Sequence, residues 1–379
     1  MNFLTVVILI FSLLGLLDRI IGNKFGLGAE FSRGFAMFGV QALSSLGILI
    51  LAPALGVMLL PVFEGFYGLF GIDPSVIPAS IFANDMGGTT LALALGKTPA
   101  IGLYNAFIVS SMMGCTISYT IPVATGMVDA SQHKDLFFGF LCGIATIPVG
   151  CIAVGFWCGL TLWQIIVTLL PLILLSILLT VGLTLAPELS VKILRGIGKG
   201  IQLLSLVGLG LGIYTFFVRK APIPHMATLE ESALICVSAC VTLSGAFPLV
   251  FVLSKLLNKP ATLLGKALGI NSTAAVGFLP TLVSNTTTWG ITKDMDSRGV
   301  VLNSAFGVSA AFVFGAHLAF TMAMNPSYVP PMIVAKLISG VAALILAFWI
   351  CKRRDKSQIQ APKNNKKTGA FRKATKPWK

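Results

Sequence analysis

Nine apolar runs constrain this chain more than anything else in it. They lie at about 2–21, 35–62, 99–121, 136–160, 162–186, 201–218, 233–257, 300–324 and 330–350. At 1.5 Å per helical residue each reaches across a hydrocarbon core of roughly 30 Å. In lipid every backbone polar group must be satisfied internally, so spans of this length predict helices. The fold class that follows is an all-α polytopic membrane protein with about nine transmembrane helices. Composition agrees: 56% of the 379 residues are hydrophobic, 11% are charged, and mean hydropathy is +0.91. The first run lacks a basic leader and a small-residue cleavage site, which predicts a retained span rather than a signal peptide.

Two segments, about 73–96 and 271–293, do not read as spans. The first carries Asn84-Asp85-Met86-Gly87-Gly88-Thr89-Thr90 between two short apolar arms, neither long enough to cross a bilayer. Non-helical backbone at membrane depth persists only where protein or a watery cavity satisfies it, so the Gly87-Gly88 break predicts a re-entrant broken-helix hairpin. The second segment leads from Thr273–Val283 into Ser284-Asn285-Thr286-Thr287-Thr288-Trp289-Gly290 and is read the same way. An acid inside the membrane costs about 2.5–3.5 kcal/mol or more and persists mostly where it faces a pathway or a partner.

The net charge of +14 resembles a nucleic-acid signal until the charges are placed. Eleven of the 27 basic residues lie between Lys352 and Lys379. That stretch reads as a disordered cytoplasmic tail that meets anionic lipid, with no nucleic-acid partner. If both hairpins turn back and the tail is cytoplasmic, Lys192, Arg195, Lys199, Lys255, Lys259, Lys266, Lys293 and Arg298 fall inside, while Lys97, Arg219 and Lys220 fall outside. That distribution obeys the positive-inside rule. The amino terminus is therefore expected outside and the carboxyl terminus inside.

Four collinear matches suggest an internal repeat: Pro53 with Pro248, Gly71-Ile72-Asp73 with Gly269-Ile270-Asn271, Asn84 with Asn285, and Ala106–Ser110 with Ala305–Ser309. An odd number of crossings between the copies makes it an inverted repeat. The organisation expected is a first half at 1–186, with its hairpin at about 73–96 and a connector span at 162–186. A cytoplasmic loop at 187–200, a second half at 201–350 with its hairpin at about 271–293, and the tail at 351–379 complete it.

No GxGxxG, P-loop, HExxH or GxSxG pattern is present, and the three histidines offer little from which to build a triad, so an enzyme is not expected. The seven cysteines lie in or beside apolar runs without paired CxxC spacing and read as buried free thiols, so no metal and no cofactor are expected. Asp85 is the acid placed deepest in the membrane, which points to a cationic substrate or coupling ion. Asn84 and Asn285 offer amides, Thr287 and its threonine neighbours offer hydroxyls or helix caps, and Trp289 offers either a cation–π face or an interfacial anchor. His317 reads as a proton relay or as a neutral hydrogen-bonding group between helices. Lys336, near the end of its span, is expected to snorkel.

Eight motifs in order carry a family resemblance: Asp18-Arg19-Ile20, Asp85-Met86-Gly87-Gly88, Ser111-Met112-Met113-Gly114, Ile121-Pro122-Val123-Ala124, Thr146–Ala153, Met295–Gly299, Val308–Phe312 and Lys336-Leu337-Ile338. Up to about residue 345 the sequence resembles the ethanolamine permeases of bacterial ethanolamine-utilisation systems. The family pattern has an acid where Ala316 stands, and an apolar, proline-containing stretch where Thr286-Thr287-Thr288 stands. The resemblance implies uptake of ethanolamine or a similar small protonated amino alcohol across the inner membrane by alternating access. The rival readings are a membrane-embedded sensor or enzyme acting on a small amine, or an ion-coupled transporter of another small polar metabolite. Energy coupling and assembly into a homo-oligomer stay open at this stage.

Overall fold

The computed structural model describes residues 3–360, and among them it contains helices and no strand. In chain order the α-helices are α1 Phe3–Ile20, α2 Leu27–Gln41, α3 Gly47–Phe70, α4 Val76–Ile81, α5 Gly88–Leu95, α6 Pro99–Tyr104, α7 Ile121–Met127 and α8 His133–Gly155. They continue as α9 Leu162–Leu185, α10 Pro187–Val218, α11 Leu229–Leu268, α12 Ser272–Thr281, α13 Asn285–Gly290, α14 Ser297–Ala310, α15 Ala316–Met324 and α16 Val329–Gln360. Wider π-helical turns at Ala42–Leu46, Asn105–Gly114 and Thr116–Thr120 join α2 to α3 and α6 to α7 without a break.

Local chemistry sets many of the ends. Thr161 with Gln164, and Thr228 with Glu231, form capping boxes that start α9 and α11. Left-handed Gly71 and Gly269 close α3 and α11. The buried Asp18 carboxylate at the end of α1 accepts the Phe25 and Gly28 N–H groups, each at 2.9 Å, and so fastens α1 to the start of α2. In the link before α8, Asp129 accepts the Ser131 hydroxyl at 2.6 Å and its N–H at 2.8 Å, which holds the Asp129 carboxyl below its ordinary value.

Eight helices among the described residues are long and apolar enough to cross a membrane. The ninth expected span, 300–324, is divided: α14 stops at Ala310, Phe312 takes a left-handed φ of 62°, and α15 begins at Ala316. The freed Phe312 and Phe314 N–H groups donate to Thr281 O at 3.2 Å and Leu282 O at 2.8 Å, so the second hairpin satisfies what the break exposes. A second correction concerns 187–200, expected as a loop. It forms the first turns of α10, because Pro187 sits at a permissive first helical position and the residues after it up to Val218 include no proline. The tail expected from residue 351 begins instead as the last turns of α16, which runs to Gln360, and residues 361–379 lie outside the described residues.

Both expected hairpins turn back on themselves. Asp73 Oδ2 accepts the Lys97 N–H at 3.1 Å and the Thr98 N–H at 3.3 Å, so the chain leaves α5 beside the point at which it approached α4. In the second, Asn271 donates its side-chain amide to Asp294 O at 2.8 Å and its N–H to Asp296 Oδ1 at 3.1 Å. α8, α14 and α16 pack together on one side, and α1, α2 and α11 on another. The segment 105–120 lies almost wholly buried between other elements, and Asn84, Asn285 and Trp289 of the hairpins are buried with it.

Candidate functional site

Asp85 owes its position to a short, strained turn. Ala83 is extended, Asn84–Met86 form one 3₁₀ turn, and Gly87 adopts φ 98° before α5 begins. A side chain on Gly87 would meet Ile48 as well as a disfavoured φ, and one on Gly88 would fall onto Phe82 O. The Asp85 N–H is capped by Asn84 Oδ1 at 2.9 Å, and the carboxylate points into a cavity of about 320 Å³.

Seven pieces of chain build that cavity: α2, the π-helical turn after it, the first hairpin, the Cys115–Tyr119 turn, α11, the second hairpin and the α14–α15 break with the start of α15. Asp85, Thr287 and His317, all singled out from the sequence, meet there. His317 Nε2 lies 3.9 Å from Asp85 Oδ1, close enough for an ion pair whenever the imidazole is protonated. The His317 ring lies 5.1 Å from Phe312, which in turn meets Tyr119 edge-on at 5.5 Å. Ser284 and Thr286 face the same space and share a hydroxyl hydrogen bond of 2.7 Å.

Three expected site residues lie elsewhere. Asn84 and Asn285 are fully buried beside the cavity and spend their amides on threonines: Asn84 Nδ2 donates to Thr321 Oγ1 at 3.3 Å, and Asn285 Nδ2 to Thr120 Oγ1 at 3.4 Å. Trp289 is neither a cavity wall nor an interfacial anchor. It is 1% exposed and packs edge-on against Phe140 at 6.0 Å, because the α13 turn directs it away from Thr287.

Lys336 does not snorkel. It is 1% exposed, and its Nζ donates to Ser111 O at 2.6 Å within the π-helical stretch. An ammonium this deep is stabilised only by such a partner, and its placement depends on how α16 packs on the 105–114 turn. Tyr119, Phe312, Phe247 and Met86 were likewise missed, since apolar residues in apolar runs carry no signal of facing a cavity. Among the described residues no cluster of His, Cys, Asp and Glu could hold a metal ion.

A family model described as "Ethanolamine utilisation protein, EutH" matches residues 1–350. The chain is 42% identical over 344 residues to the probable ethanolamine permease EutH of Listeria monocytogenes serotype 1/2a (strain 10403S), covering 91% of this chain and 92% of that one. It is 34% identical over 393 residues to the probable ethanolamine permease EutH of Salmonella typhimurium (strain LT2), with 93% and 96% covered. For the protein of the same name in Escherichia coli (strain K12) the identity is 35% over 388 residues, with 92% and 95% covered. No solved structure matches the chain.

Proposed function

The chain belongs to the EutH family of ethanolamine utilisation proteins, a family of multi-pass bacterial membrane proteins, and on that premise we propose that it is a permease for ethanolamine or a closely similar protonated amino alcohol. One observation carries the reading at the level of residues: a lone cavity carboxylate, Asp85, stands at the tip of one hairpin and faces the hydroxyl-bearing tip of the other. An aliphatic amine has a pKa near 10.4 and is almost wholly charged at neutral pH, so it needs a path with a counter-ion. Asp85 supplies that counter-ion. Thr287, with Ser284 and Thr286, receives the hydroxyl end, and His317 is placed to pass a proton to or from Asp85.

Alternating access follows from two halves of opposite orientation, α1–α8 and α10–α16, with α9 as connector. Several reciprocal features favour this division. α1 packs on α11 while α10 packs on α3. Gly71 and Gly269 end corresponding helices, and Asp73 and Asn271 close corresponding hairpins. The distribution of basic residues supports an orientation in the inner membrane with the amino terminus outside and the carboxyl terminus in the cytoplasm, where a basic carboxyl-terminal sequence would favour anionic lipid.

The test is uptake of labelled ethanolamine into proteoliposomes, with proton and sodium gradients imposed in turn. Uptake that saturates, and that Asp85→Asn abolishes, is expected. Binding without uptake would make the protein a sensor and overturn the permease reading.

A further inference from the structure

The surroundings of Asp85 do not resemble a site built only for a primary ammonium. A –NH₃⁺ group brings three N–H donors, and each costs free energy if it is buried without an acceptor. Beside Asp85, with His317 Nε2 at 3.9 Å, much of the cavity wall is an apolar cluster: Ala83, Met86, Cys115, Tyr119, Phe312 and Ala316; Arg33, Gln41 and Ser44 add polar groups to the lining. The cavity hydroxyls of Ser284, Thr286 and Thr287 belong to the opposite hairpin, where they serve the hydroxyl end of the substrate rather than its ammonium. A single carboxylate beside two aromatic rings and a thioether suits a cation with few or no N–H groups to satisfy.

We infer that this cavity also takes N-methylated amino alcohols, up to the quaternary trimethylammonium form, with the methyl groups against Tyr119, Phe312 and Met86 and the charge on Asp85. The inference rests on the reading of Asp85 as the counter-ion of the transported cation. Room is not limiting. About 10–15 Å³ suffices for one water, and the cavity has about 320 Å³, far more than three methyl groups add to a small amino alcohol. Each buried methyl is worth roughly a fourfold gain in affinity, part of which is lost to imperfect packing.

The experiment is direct binding of ethanolamine and its N-methyl, N,N-dimethyl and N,N,N-trimethyl derivatives to the purified full-length protein in lipid nanodiscs. Affinity should rise along the series, by about tenfold or more overall. The neutral carbon isostere of the trimethyl compound should bind at least tenfold more weakly than the trimethyl compound. Tyr119→Leu should flatten the series, lowering affinity for the trimethyl form more than affinity for ethanolamine. Phe312→Leu serves as a second variant, in case either substitution unfolds the protein.

Binding of ethanolamine with a stepwise fall on methylation would overturn this inference and leave the permease reading intact. Binding of the methylated forms without ethanolamine would support the inference and overturn ethanolamine as the substrate. Equal binding of the neutral isostere, or no binding by any of the compounds, would overturn the role of Asp85 and the inference with it.

Discussion

Asn84 of the first hairpin donates to Thr321 of α15 at 3.3 Å, and the reciprocal bond runs from Asn285 of the second hairpin to Thr120 at 3.4 Å. The offset in sequence is identical for both members, from 84 to 285 and from 120 to 321. Each hairpin tip is thus tied to a segment that belongs to the other half of the chain. A movement of one tip must break or drag a contact with the segment that the other hairpin's half supplies, which is the coupling that the proposed alternating access would require.

These ties should be visible as pairwise energies. Asn84→Ala and Asn285→Ala should each lower stability by about 1–3 kcal/mol, the cost of leaving a buried partner unsatisfied. In double-mutant cycles Asn84 should couple to Thr321→Val and not to Thr120→Val. Thermal unfolding in detergent would measure this, and full additivity for both pairs would show that the reciprocal bonds carry no weight.

Asp85→Asn should weaken binding of the cationic substrate by about two to four decades. Removing one partner of a buried charge pair costs roughly 3–5 kcal/mol, at 1.4 kcal/mol per decade. Asn285→Ala, acting from behind the cavity, should cost less. Affinities for variants of matched thermal stability decide the order, and an unchanged affinity in Asp85→Asn would remove the counter-ion.

Lys336→Met should have the opposite sign. An ammonium buried in the same bundle adds positive charge against an incoming cation, so its loss should tighten binding by a factor of the order of ten, about 1.4 kcal/mol. The same variant should lower thermal stability, because Ser111 O loses its donor. Weaker binding at unchanged stability would instead place Lys336 in direct contact with the substrate.

Gly114 and Gly315 mark the closest approach of the hairpins to their supporting segments. A Cβ at Gly114 would fall onto Phe82 O, and one at Gly315 onto Val283 O. Each alanine variant should lose about 1–3 kcal/mol through overpacking, whereas Gly126→Ala, which meets nothing within 4 Å, should be neutral or slightly stabilising. Equal effects at all three positions would show that the hairpins are not held by these contacts.

Orientation is open to cysteine labelling from outside the cell in a background without native cysteines. Position 97 should react with an impermeant reagent and position 192 should not. The reverse pattern would overturn both the orientation and the positive-inside argument behind it.

The apolar runs determined, from sequence alone, that the chain is a helical membrane protein. The reason is that hydrophobic length and backbone satisfaction in lipid are local properties of a segment. The two hairpins were legible for a related reason: Asp85 with Gly87-Gly88, and Ser284 with the threonines after it, are too polar or too flexible for a plain span. Asp85, Thr287 and His317 could be singled out because polar groups at membrane depth stand out against an apolar background. What tertiary structure alone decided was the direction each side chain faces. Trp289 turned to Phe140, Asn84 and Asn285 to threonines of the far half, and Lys336 inward to Ser111. The break at Phe312 was equally invisible, because the carbonyls that replace its helical hydrogen bonds come from Thr281 and Leu282. Those partners exist only once the second hairpin has docked.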